Sequence, residues 1–163
     1  MLLMHVSFNG EIITPAPSWV SYEPQAEIGK NKVHWLETSR VNNWFPTAKE
    51  LESKLKKIGK KKNLILILNS PNNPSGAICK NFEELSKVAK KHKLIILSDE
   101  IYEHINYGVP HFSFAQIFSM YDRTLTVNGV AKAFAMTGWR IGYLGGPEWI
   151  AKACTKMQGQ ITS

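Results

Sequence analysis

A chain of 163 residues, 44% hydrophobic and 20% charged, is long enough to bury a core, and its composition excludes the disordered and fibrous classes. Its net charge of +7 is concentrated in Ser53–Lys62 and Lys87–Lys93, which read as solvated helix ends without the interleaved aromatics of a nucleic-acid platform, so no nucleic-acid partner is expected. The apolar patch in Met1–Gly10 is too short for a secretory signal and no apolar run reaches membrane-spanning length; Cys79 and Cys154 lie far apart without metal-ligand spacing, so the expectation is a cytoplasmic protein with no membrane contact, idle thiols and no metal site.

In chain order, Glu11–Thr14 reads as a short strand closed by Pro15 and Pro17, followed by a helical stretch over 18–28 and a second strand over 32–37. Pro46 and Thr47 open a helix that carries Leu51, Leu55 and Ile58 on one face and stops at Gly59. The continuous apolar run Asn63–Asn69 suits a strand buried on both faces of a parallel sheet. Asn81 reads as the N-cap of the next helix, with Glu83 and Glu84 in its first turn and Phe82, Leu85, Val88 and Ala89 turned inward. Leu94–Glu100 and Thr124–Asn128 repeat the buried-strand pattern. Too few residues then separate Lys132 from Arg140–Gly145 for a parallel crossover, which makes that last strand antiparallel.

Open α/β sheets bind ligands beyond the carboxyl ends of their strands. At those ends this chain delivers NSPNNPSG with Asn73, SDEIY with Asp99 and Tyr102, and NGVAK with Lys132. Taken singly, the first is turn chemistry, the aspartate a possible helix cap and the lysine a solvent-facing side chain. Their arrival at successive strand ends on one rim points instead to a site.

These segments, continued as AKAFAMTGWRIGY and preceded by PAPSWVSYEPQ (Pro15–Gln25), resemble the fold-type I aminotransferases dependent on pyridoxal 5′-phosphate (PLP), most closely the bacterial aspartate aminotransferase branch. The resemblance implies an α/β three-layer sandwich with a mostly parallel sheet and one antiparallel strand. Residues 1–163 would form an incomplete PLP-binding large domain, the N-terminal segment and C-terminal small domain being absent. It implies amino transfer from an L-amino acid, with aspartate expected, to a 2-oxo acid, and a homodimeric full-length form. Lys132 would hold the cofactor and move the substrate α-proton, Asp99 would face the pyridine nitrogen, and Asn73 and Tyr102 would hydrogen-bond the ring oxygen. Arg140 would bind the cofactor phosphate and Trp19 would stack on the ring, although a core role for Trp19 stays open. Many relatives carry a phosphate-binding serine three residues before the lysine; this chain has Gly129, where backbone amides can substitute. Two alternatives remain beside the aminotransferase: a lyase or synthase on the same scaffold, and a non-catalytic truncated domain. The arginine that grips the substrate carboxylate belongs to the small domain in relatives, so the chain alone is expected to be inactive.

Overall fold

In the computed structural model of the chain, which describes residues 8–59 and 63–161, alternation along each strand sorts the apolar side chains into two cores. In β3 (Leu64–Asn69), Leu64, Leu66 and Leu68 pack on one side while Ile65 and Ile67 pack on the other. All of β3 is buried, as the unbroken apolar run requires of a strand covered on both faces. With β1 (Glu11–Ala16), β2 (Lys32–Glu37), β4 (Ile95–Asp99), β5 (Thr124–Gly129) and β6 (Gly142–Gly145) it forms a six-stranded sheet in the order β2-β1-β3-β4-β5-β6. Every neighbouring pair is parallel except β5 and β6, the antiparallel pair expected from the short connection.

Helices cover both faces, completing the three layers. On one face, α2 (Ala48–Ile58) contributes Leu51 and Leu55, and α3 (Phe82–Lys91) contributes Phe82, Leu85 and Ala89; Phe114 and Met120 from the β4–β5 connection close that core. On the other face, α1 (Tyr22–Ile28) brings Tyr22 and Ala26 and α4 (Glu148–Ile161) brings Ile150 and Cys154.

The expected start of α2 holds: Thr47 Oγ1 accepts from the Glu50 amide at 3.2 Å while Glu50 reaches back to the Thr47 amide at 2.7 Å, a reciprocal capping box. Lys56 and Lys57 lie in the last turn of α2, and Lys90 and Lys91 in that of α3. Residues 60–62 of the first basic cluster, and residues 1–7 of the amino-terminal stretch, lie outside the described residues.

Four local readings change. β1 runs through Pro15 to Ala16, because its pairing with β3 ends at Ile13 and beyond that point only β2 flanks it, so the missing proline N–H leaves a sheet edge intact. The first helix starts at Tyr22 rather than residue 18, after a turn in which the Tyr22 amide donates to the Trp19 carbonyl at 3.2 Å. Asn81 precedes α3 but makes no side-chain cap; its amide nitrogen donates to the Pro46 carbonyl at 2.9 Å, tying the starts of α2 and α3 together. Helix α4, unassigned by periodicity, follows Pro147, whose carbonyl accepts from Ile150 and Ala151. No helix among the described residues is long and apolar enough to cross a membrane.

Candidate active site

The carboxyl ends of β1 and β3 are neighbours whose connections leave toward opposite faces: β1 leads to α1 on one side and β3 to α3 on the other. Such a divergence opens a crevice at the sheet edge. A cavity of about 400 Å3 occupies it, lined by Trp19, Asn73, Asp99, Tyr102, Lys132 and Arg140. All six residues singled out from the sequence therefore share one wall system, including the amine of Lys132 and the carboxylate of Asp99.

Asp99 is the last residue of β4 and only 5% exposed. Its Oδ2 accepts from the Tyr22 hydroxyl at 2.8 Å, and its Oδ1 from the Ile101 amide at 3.3 Å. Burial pushes the carboxyl above its ordinary range, while these two donors pull it back. Tyr22, 1% exposed, is held well above the usual phenol range by burial first and by the Asp99 charge second. Its ring meets Trp19 edge-on at 5.4 Å. Trp19 itself is half-buried and packs against the adjacent core while lining the cavity.

The turn after β3 is built by asparagines. Asn69 donates to the Asp99 carbonyl at 2.9 Å and accepts from the Asn73 amide at 2.7 Å, which couples two strand ends. Asn72 Oδ1 accepts from the Ser75 hydroxyl at 2.7 Å, and Gly76 takes the left-handed conformation the turn needs, with φ +69°. Asn73 Nδ2 is thereby aimed at the Tyr102 hydroxyl, 3.4 Å away. The Lys132 ammonium lies over the Tyr102 ring at 6.0 Å from its centroid.

Lys132 follows β5 by three residues, in a turn closed by the Ala135 amide on the Lys132 carbonyl at 3.1 Å. It is exposed, as is Arg140, so this side of the cavity is open. Arg140 holds φ +55°, an uncommon backbone state for a non-glycine residue and one that turns the chain into β6. Gly129 pairs with Gly142 across the β5–β6 ladder, and a Cβ there would fall 2.9 Å from the Ile141 carbonyl oxygen. The strands are too close for a serine. The amides of Gly129 and Val130 donate to Asn128 Oδ1 at 2.7 Å and to the Ile141 carbonyl at 3.3 Å.

Tyr22, Gln25, Asn69 and Thr137 line the cavity but were not singled out from the sequence. Tyr22 lies three residues after Trp19 in PAPSWVSYEPQ, and a buried aromatic gives no sign in sequence that its hydroxyl meets a carboxylate. The assembled groups can bind a flat, anionic, basic-nitrogen heterocycle and present one amine to it.

Over residues 1–163 the chain matches the family model described as aminotransferase class I and II. It is 46% identical over 157 residues to the bifunctional aspartate aminotransferase and glutamate/aspartate-prephenate aminotransferase of Petunia hybrida, covering 94% of this chain and 32% of that protein. To the aromatic-amino-acid aminotransferase 2 of Thermococcus litoralis it is 41% identical over 153 residues, covering 92% of this chain and 38% of that one. Its fold is similar to that of the aspartate aminotransferase of Thermus thermophilus solved with maleate, with TM-score 0.90 and 37% identity over 99% of this chain and 42% of that one. The chain spans about a third of the length of these curated relatives. By the match along its whole length, by these identities and by its six-stranded architecture, the chain belongs to the class I and II aminotransferase family.

Proposed function

We propose that the chain carries the PLP-binding core of an aminotransferase that moves the amino group of an L-amino acid, aspartate first among the candidates, to a 2-oxo acid. The observation that carries this is the convergence of Lys132, Asp99, Asn73, Tyr102, Arg140 and Trp19 on one cavity. The donor set fits the cofactor: a carboxylate suits a ring N–H, an amine an aldehyde, amide and phenol donors a phenolate oxygen, a guanidinium a phosphate and an indole a flat ring. When bound, the cofactor supplies a sink for the electron pair released from the substrate Cα.

The residues divide the work by position. Asp99 holds a proton on the ring nitrogen and so keeps the ring electron-poor. Asn73 and Tyr102 hydrogen-bond the ring oxygen. Arg140 pairs with the phosphate as the sole assigned charge there, since Gly129 excludes a serine and its amide is engaged. Lys132 would hold the cofactor through Nζ, and the same amine would supply the base for the substrate α-proton. Lys132 and Arg140 are the only cations among the described residues lining the cavity, and both have other tasks. This favours a second reading, in which the chain by itself binds cofactor without transferring amino groups for want of a carboxylate anchor. Free, buried thiols at Cys79 and Cys154 support a reducing, cytoplasmic setting, and exposed Trp139, Tyr143 and Trp149 support burial against a second subunit in a homodimer.

Absorbance titration with PLP tests the core reading. A saturable spectral change is expected in the wild-type chain, weakened at least about tenfold in Asp99→Ala by loss of one charged hydrogen-bond partner. In Lys132→Ala the covalent component should vanish. No saturable change in the wild-type chain contradicts the reading.

A further inference from the structure

Tyr22 is the largest fully buried side chain that also faces the cavity, and nothing in the cofactor-holding set accounts for it. A core tyrosine needs only some acceptor for its hydroxyl. Here the acceptor is Asp99 Oδ2 at 2.8 Å, and the phenol sits on a different element, the first turn of α1, from the strand that carries the aspartate. The bond therefore joins the α1 side of the crevice to its floor, with Trp19 packed edge-on against the Tyr22 ring. Among the described residues, the charged and titratable groups around Asp99 are Tyr22 from α1, the adjacent Glu100, Tyr102 from the following turn, and Lys132 and Arg140 across the cavity. Among the described residues, Tyr22 alone donates a side-chain hydrogen bond to the Asp99 carboxylate.

We infer that Tyr22 is a positioning residue for the proposed reaction, its hydroxyl holding the Asp99 carboxylate oriented and anionic inside a buried wall so that it can face the cofactor ring. The inference rests on the PLP reading for its purpose and on the Tyr22–Asp99 contact for its physics. Burial works against the Asp99 charge, and a hydrogen bond from Tyr22 opposes that burial. Removing the donor raises the Asp99 midpoint further, so fewer chains carry the anion at neutral pH. Above the raised midpoint the anion returns in both forms, and the difference between them shrinks.

Tyr22→Phe keeps the ring and deletes only the hydroxyl. The chain has two aspartates, Asp99 and Asp122, so a carboxyl-13C label on aspartate gives two signals that Asp122→Asn assigns. In the cofactor-free chain the Asp99 midpoint should move to higher pH in Tyr22→Phe; an unchanged or lower midpoint overturns the inference, whatever PLP does. With PLP, the affinity of Tyr22→Phe should fall about tenfold near neutral pH and recover toward alkaline pH. An equal loss at every pH marks a purely structural tyrosine and overturns it. If neither chain binds PLP, the cofactor reading fails while the carboxyl titration still decides the role of Tyr22. Should Tyr22→Phe not fold, the reciprocal Asp99→Asn chain serves: its Tyr22 phenol should ionise at lower pH than in wild type, and an unmoved phenol contradicts the coupling.

Discussion

At the scale of single residues the site shows a conflict between stability and chemistry. Asp99 is buried at the end of β4, and burial raises its carboxyl above the ordinary value despite the Tyr22 hydrogen bond. The folded chain thus binds that proton more tightly than the unfolded one, so stability falls as pH rises from the ordinary carboxylate value through the raised one. Above that window the full penalty persists. Asp99→Asn removes the titration and keeps an acceptor for Tyr22, so it should melt above wild type at neutral pH, with the gap closing in acid. Calorimetry across that pH range checks this, and a wild-type chain that is more stable than Asp99→Asn at neutral pH contradicts it. A higher melting temperature for Asp99→Asn is the expected mark of a residue retained for function at a cost in stability. By contrast Cys79, pushed up to about 12 mainly by burial, is a packing residue and no nucleophile.

Among elements, the β5–β6 pair sets the shape of the site. Gly129 and Gly142 face each other across the ladder, and β6 begins after Arg140 has turned the chain at positive φ. Gly129→Ser would place its Cβ 2.9 Å from the Ile141 oxygen and 3.2 Å from the Gly142 Cα, so the strands must separate. We expect a loss of about 1–3 kcal/mol in denaturant unfolding, the range for forced overpacking. Unchanged stability would mean that β6 yields freely and does not fix Arg140. The same elements show how far sequence reading reaches. The strands, α2, α3 and the antiparallel return were legible, because apolar runs, capping residues and connection length each leave a local trace. Pro15 inside β1 was not, since whether a proline is tolerated depends on which neighbour pairs with it. Asn81 looked like a cap and is instead a tie to Pro46, a contact 35 residues away in sequence. In the site, Asp99 and Lys132 were legible from their strand ends, whereas Tyr22 was not, because its meaning lies in a partner 77 residues distant.

On the scale of the whole molecule, the sheet order brings strand ends far apart in sequence to one crevice, with β1 and β3 diverging beside β4 and β5. One face of the cavity is floored by buried Asp99, while Lys132 and Arg140 stand exposed on the other side. Phe134, Trp139, Ile141 and Tyr143, close to Lys132 and Arg140 in sequence, and Trp149 in the first turn of α4 are exposed large apolar side chains. Among the described residues Lys132 is the one lysine that lines this cavity, whereas most of the other described lysines are exposed away from it. Incubation with PLP, reduction with borohydride and peptide mapping by mass spectrometry tests this most directly. One pyridoxyl group on Lys132 is the predicted result; a label spread over the solvent-facing lysines, or confined to another one, would contradict it.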